Sequence, residues 1–248
     1  LHTAYRRQRQ MCIRDRHVIV TENAYIPVWG TYITTPTATK EFAKVNVQTK
    51  IVLPEGADAS KYSVKTSVWN PNGQKLTEQT IPLSQIKYND NSLSQEFIIQ
   101  TPTLWSPDMP ALYSAETRLY EGDQLKDIYT TPFGIRSIEI IPNKGFFLNG
   151  EKTVFKGVCN HHDLGPLGAA VNDAAIRRQI RILKDMGCNA IRTSHNMPAP
   201  ELVRACDEMG MMLMVESFDE WNKAKCANGY NLIFDEWVEK DLSLIHIS

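Results

Sequence analysis

The sequence predicts a multidomain β plus α/β chain: an immunoglobulin-like antiparallel β-sandwich followed by an incomplete (β/α)8 TIM barrel of three βα units. Three observations predict it. Apolar residues recur with a period of two from about residue 17 to 137. After Ser137, short apolar runs alternate with helical ones. In that second half, the segments following three successive strands carry His and carboxylate residues.

The sandwich is read strand by strand. Val45, Val47, Thr49, Ile51 and Leu53 share one parity, with Asn46, Gln48 and Lys50 between them, as a half-buried strand requires. Val64, Thr66 and Val68 alternate with Ser63, Lys65 and Ser67, and Asn70-Pro71-Asn72-Gly73 then supplies a turn. Further strands are expected near 31–35, 74–81, 94–100, 112–120 and 124–132. About seven short strands in about 110 residues suit an immunoglobulin-like sandwich. No cysteine falls in this half, so an inter-sheet disulfide is excluded. The core is expected from Val, Ile and Leu together with Trp69 and Trp105.

The second half opens with a strand over Thr153–Val158. A helix follows over Asp173–Met186, with Ile176, Ile180 and Leu183 on one face, Asn172 as N-cap and Gly187 as the stop. Asn189–Thr193 is a second strand, and Pro200 opens a helix that Gly210 ends after Met209. Met211–Val215 is a continuous apolar strand, expected to be covered on both faces. A last helix is expected over Ile233–Leu242. A doubly wound sheet would place a glycine-rich loop after the first strand. That loop is Asn160-His161-His162-Asp163-Leu164-Gly165, without GxGxxG, so the barrel is favoured. Its strand ends carry His161 and Asp163, then Ser194, His195 and Asn196, then Glu216, Asp219 and Glu220.

Composition excludes several classes. With 248 residues, 42% apolar and 22% charged, the chain is neither collagen-like nor wholly disordered. No apolar run approaches the roughly 18 residues of a membrane helix, and no apolar signal core stands at the N-terminus. A net charge of −1 argues against a dedicated nucleic-acid binder. The total conceals a basic end: residues 1–16 hold five Arg and one Asp, and the remainder carries 22 basic against 27 acidic residues. MCIRDR in that end resembles translated sequencing-adapter sequence, and the tail SLIHIS raises the same suspicion. Both ends, 1–16 and 243–248, are therefore set aside as non-native, and the chain reads as a fragment divided into 17–137 and 138–242. No CxxC pair exists, which leaves a zinc knuckle or redox motif unsupported and localisation undetermined.

A family resemblance rests on five ordered motifs. Leu104-Trp105-Ser106-Pro107 with Pro110-Ala111-Leu112-Tyr113 resembles the LWSPxxPxLY signature of glycoside hydrolase family 2, the β-galactosidase and β-glucuronidase group. Phe133-Gly134-Ile135-Arg136 resembles its FGxR strand. Phe147-Leu148-Asn149-Gly150 and Lys156-Gly157-Val158 resemble its approach to the barrel, and Ile191-Arg192-Thr193-Ser194-His195 its R-x-S-H segment.

The resemblance implies retaining hydrolysis of a β-linked galactoside or related glycoside, with no nucleic-acid or membrane partner. It leaves a homo-oligomer and a divalent metal open for a longer chain, while no cofactor and no metal ligand set is evident in this one. It implies substrate-binding roles for His161, Arg192 and His195, the Arg orienting the nucleophilic carboxylate. Asp163, Asn196 and Glu216 are carried as further pocket residues. Cys159 stands where the family usually has Asn, and Asn196 where SHYP-type members have Tyr. Retaining chemistry needs two carboxyl groups about 5–5.5 Å apart. The family places its acid/base in an Asn-Glu pair after the fourth strand and its nucleophile after the seventh. This sequence has no Asn-Glu dipeptide and ends after the third βα unit, so no catalytic residue is assigned and the isolated chain is expected to be inactive.

Structural readings stand beside these. His161 and His195 are also the kind of residue that satisfies buried polar groups at strand ends. A metal site from His161, His162, Asp163, His195 and Glu216 is disfavoured because adjacent strand residues point to opposite sides. Of Glu216, Asp219 and Glu220, one is expected to line the pocket and the others to be solvated or to bond the next loop. Trp221 suits either a sugar platform or packing. Two other function classes remain: a carbohydrate-binding or structural module on the sandwich, which needs exposed aromatics there, and nucleic-acid binding through the Arg-rich end.

Overall fold

The computed structural model describes residues 19–85 and 92–243. The set-aside ends, 1–16 and all of 243–248 except Ser243, lie outside the described residues, as do His17 and Val18. The chain divides into two compact units, one of residues 19–153 and one from Val154 onward. The division falls beyond Ser137, where the sequence rhythm changes.

The first unit contains β1 (Thr31–Ala38), β2 (Phe42–Lys50), β3 (Tyr62–Trp69), β4 (Lys75–Pro82), β5 (Ser92–Gln100), β6 (Leu112–Glu121) and β7 (Gln124–Gly134). They form two antiparallel sheets, β1-β2-β5 and β4-β3-β6-β7, in immunoglobulin-like order. Strict alternation in β2, β5 and β6 turns every second side chain inward. The interior holds two apolar clusters, one including Val45, Val47, Phe97 and Ile135, the other Ile51, Val64, Leu83 and Leu119.

A polar belt marks the boundary between them. Thr49, Thr66, Gln95 and Thr117 are buried, and each stands on its strand between a residue of one cluster and a residue of the other. Thr66 Oγ1 donates to Gln95 Oε1 at 2.6 Å, and Gln95 Nε2 donates to the Gln79 carbonyl at 3.0 Å. Trp105 is a core residue as expected, its main chain bonded to Ile135 and its ring crossed by the Arg136 guanidinium at 5.0 Å. A Cβ at Gly134 would come within 2.9 Å of Trp105, so glycine there makes room for the indole. The other tryptophan expected in the core, Trp69, is only half-buried, because it ends β3 beside the exposed turn at 70–73.

A small antiparallel sheet follows, β8 (Ile138–Ile141), β9 (Gly145–Leu148) and β10 (Glu151–Lys152), which the sequence reading did not include. Its β9–β10 turn is Asn149-Gly150, both at positive φ, the chemistry of a two-residue hairpin. Asn149 Oδ1 accepts from the Ser137 N–H, and its Nδ2 donates to the Trp105 carbonyl at 3.0 Å. That bond joins the LNG motif to the LWSP motif.

In the second unit β11 (Gly157–Asn160), β12 (Ala190–Thr193) and β13 (Met212–Val215) are parallel, in that order. The helices are α1 (Asp173–Asp185), α2 (Pro200–Met209) and α3 (Phe234–Ser243). Asn172 caps α1 through the Ala175 N–H, and Gly210 ends α2 in the left-handed conformation. Ile176, Ile180 and Leu183 pack with Ile191, Ala205, Cys206 and Met211. Burial pushes the Cys206 thiol up to about 12.

Two strand expectations are corrected. The first strand begins at Gly157, not Thr153, since Asn189 holds residues 154–156 through the Val154 carbonyl and the Lys156 N–H. A Cβ at Gly157 would overlap the Ala190 carbonyl, so the close strand approach requires glycine. The third strand is not covered on both faces: Met214 is 52% exposed and Val215 is exposed as well.

Candidate functional site at the strand ends

Strand parity determines what faces what. Val158 and Leu213 lean against the α1–α2 core around Ile191, so their neighbours Cys159, Arg192 and Met214 occupy the other face, aligned in register across the three strands. All three are exposed there.

Arg192 is the centre of the arrangement. Its Nε and Nη2 both bond Glu216 Oε1, and its Nη1 donates to Cys159 Sγ at 3.4 Å. The second oxygen of Glu216 accepts from His195 Nδ1 at 2.9 Å, which places the proton on that nitrogen. The Glu216 backbone N–H is held by Thr193 Oγ1 at 3.1 Å. The Ser194–His195 peptide is cis, and the His195 ring meets the His161 ring edge-on at 5.2 Å between centroids. Partial burial pushes the Glu216 carboxyl up, but the hydrogen bonds and charges of Arg192 and His195 outweigh it and hold the group below its ordinary value.

Of the six residues expected in the pocket, His161, Arg192, His195 and Glu216 are therefore brought together. Asp163 turns into its own loop, where Oδ1 accepts the Gly165 N–H at 2.7 Å. Asn196 is exposed beyond His195, and no hydrogen bond among the described residues joins it to the cluster. His162 faces away from His161, its Nε2 on the Ala169 carbonyl at 3.1 Å. Among the described residues, no three His, Cys, Asp or Glu side chains are grouped to hold a metal ion.

Sequence reasoning missed two members, Thr193 and Cys159. Cys159 was noted only as a departure from the family. The signal for it was its register: a period of two puts it beside Arg192 once the strands are aligned. Glu220 and Asp219 bond the next loop, Glu220 through backbone N–H groups and Asp219 through the Lys225 ammonium at 3.2 Å. Trp221 packs against Phe218 and Phe234 yet stays 57% exposed.

Two family models match the chain: glycosyl hydrolases family 2 over residues 25–136, and the TIM barrel domain of that family over 139–239. A β-galactosidase of Bacteroides ovatus is 43% identical over 215 residues, 87% of this chain and 25% of the relative. A putative β-glucuronidase of Formosa agariphila is 36% identical over 85% of this chain and 20% of its own length. Among solved structures, a family 2 member from Bacteroides cellulosilyticus superposes with a TM-score of 0.83 at 35% identity. That match covers 92% of this chain and 29% of the other. A β-glycosidase from Bacteroides vulgatus gives 0.81 at 36% identity, over 91% and 28%. The class is thus a modular protein in which an immunoglobulin-like sandwich leads into a barrel with its polar groups at the strand ends. The chain belongs to glycosyl hydrolases family 2. It spans about a quarter of the length of the curated relatives it matches.

Proposed function

We propose that these residues form one side of the sugar pocket of a retaining exo-β-glycosidase, and that its substrate is a neutral glycoside, first of all a β-galactoside. The observation that carries the reading is the Arg192–Glu216–His195 linkage, in which one carboxylate orients a guanidinium and an imidazole at adjacent strand ends. Such a fixed set of donors suits sugar hydroxyls. A neutral sugar is preferred to a uronic acid on charge. Arg192 is neutralised by Glu216 and Lys225 is drawn to Asp219, so both of these cations are already engaged by carboxylates of the chain. The β-galactosidase from Bacteroides ovatus, at 43% identity, agrees with that choice.

In this reading the 248 residues supply binding groups, and the acid/base and nucleophile are contributed by family segments that these residues do not include. The purified chain is therefore expected to show no turnover of aryl β-galactosides or β-glucuronides. It should still bind galactose in ligand-observed NMR, and Arg192→Ala or Glu216→Gln should weaken that binding by about tenfold, the scale of one lost charged hydrogen bond. Turnover by the pure chain would contradict the missing-carboxylate reading. Glucuronate bound more tightly than galactose would reverse the substrate choice.

One observation favours a second reading, a carbohydrate-binding module on the sandwich: Trp29 and Tyr32 are exposed there. Sugar binding lost in Trp29→Ala and retained in Arg192→Ala would move the assignment to it.

A further inference from the structure

The loop that leaves the third strand of the barrel unit is built around a second carboxylate. Glu220, four residues past Glu216, is only 4% exposed. Its Oε1 accepts the backbone N–H of Lys225 and, at 3.4 Å, that of Cys226. The backbone N–H groups of Tyr230 and Asn231, on the far limb of the loop, also favour its charged form. Amides from both limbs of the loop thus converge on one anion, as in a backbone anion-binding nest. The Lys225 ammonium reaches the Asp219 carbonyl and Oδ1 instead.

Gly229 gives independent support. Its φ of −88° and ψ of 173° are open to any residue, so backbone conformation does not require glycine. A Cβ there would overlap Glu220 Oε2, so the carboxylate does require it. Rings close the same loop: Phe218 stacks on Tyr230 at 4.8 Å and meets Phe234 edge-on at 5.8 Å. The amide bonds, led by that of Lys225, outweigh burial and hold the Glu220 carboxyl below its ordinary value.

We propose that Glu220 is a positioning residue: it folds the 221–233 loop around its carboxylate and so fixes the 216–220 segment, keeping Glu216 on Arg192 and His195 and Trp221 at the rim. The role assigned to Glu216 rests on the glycosidase reading, but the geometry tested does not. The test uses two readouts of the 248-residue chain that need no ligand. Trypsin reports the loop through cleavage after Lys223 and Lys225, and NMR reports the His195 Nδ1 proton shared with Glu216.

Glu220→Gln and Gly229→Ala should each speed cleavage at these two lysines by about tenfold, because proteolysis follows the open population. Both should broaden or remove the His195 signal, and Glu220→Asp, which keeps the charge, should recover part of the protection. Cleavage rates equal to wild type in both variants would overturn the proposal. So would faster cleavage with the His195 signal intact, which would confine Glu220 to a local structural role. If the glycosidase reading fails, that failure appears separately, as wild-type chain that binds no sugar while these two readouts still decide the role of Glu220.

Discussion

A single carboxylate, Glu216, holds the Arg192 guanidinium and the His195 imidazole through its two oxygens, and this determines how the cluster responds to acid. Its folded-state pKa lies below the ordinary glutamate value, so the linkage favours the folded arrangement above that ordinary value. The contribution is lost as pH falls through the lowered one. The His195 Nδ1 resonance should therefore persist as pH drops past the usual glutamate range and disappear only below it. Disappearance at the ordinary glutamate value would show that Arg192 does not stabilise the anion in solution. At this scale the sequence was most informative where a strand imposed geometry. Arg192 and Glu216 come from β12 and from the end of β13, whose register brings them together. Asp163 and Asn196 lie on loops, where spacing along the chain fixes no direction: Asp163 holds the N–H of Gly165 in its own loop, and Asn196 stands exposed.

Strands and helices were legible wherever one periodicity ran unbroken. The seven sandwich strands and the capped helix α1 follow directly from alternation, from Asn172 and from Gly187. The Asn149-Gly150 hairpin was equally open to reading as a two-residue turn, but as part of a family motif it was read only for resemblance. The polar belt was half legible: parity puts Thr49 and Thr66 inside, but no pattern along one strand tells which group across the interior will bond a buried hydroxyl. That bonding makes Thr66 a sensitive position. Thr66→Val keeps the shape and removes a hydroxyl held by Gln95 and, at 3.3 Å, by Thr117. The chain should lose about 1–3 kcal/mol of stability in denaturant titration, since Gln95 Oε1 is left buried and unpaired. Adding Gln95→Leu should return part of the loss, because replacing both partners removes the unpaired group. A neutral Thr66→Val would mean that the Thr66–Gln95 bond adds nothing to stability.

For the molecule as a whole, the decisive feature is the pair of open edges on its parallel sheet. Among the described residues β11 and β13 each pair with β12 alone, which leaves a row of unpaired amides and carbonyls on each outer side. Natural edges are usually blunted by charge, proline or a bulge. β13 is Met212-Leu213-Met214-Val215, with none of these, and its last two side chains are exposed. The sandwich manages its edges differently: the segment before β1 is tied to β7 through the Ile26 N–H on Asp127 at 2.8 Å, and the first residue of β1 through the Thr31–Thr131 hydroxyl pair. The 248-residue chain should therefore associate through the barrel unit, with sedimentation showing larger species as concentration rises. Met214→Lys places a charge on the exposed face of β13 and should shift the population toward monomer with little change in melting temperature, because Met214 contributes nothing to the buried core. Wild-type chain that stays monomeric over the same range would show that the open strands are not reactive edges. Association unaltered by Met214→Lys would move the sticky surface elsewhere, first to the exposed Ile138 and Ile140 of the small β8–β10 sheet.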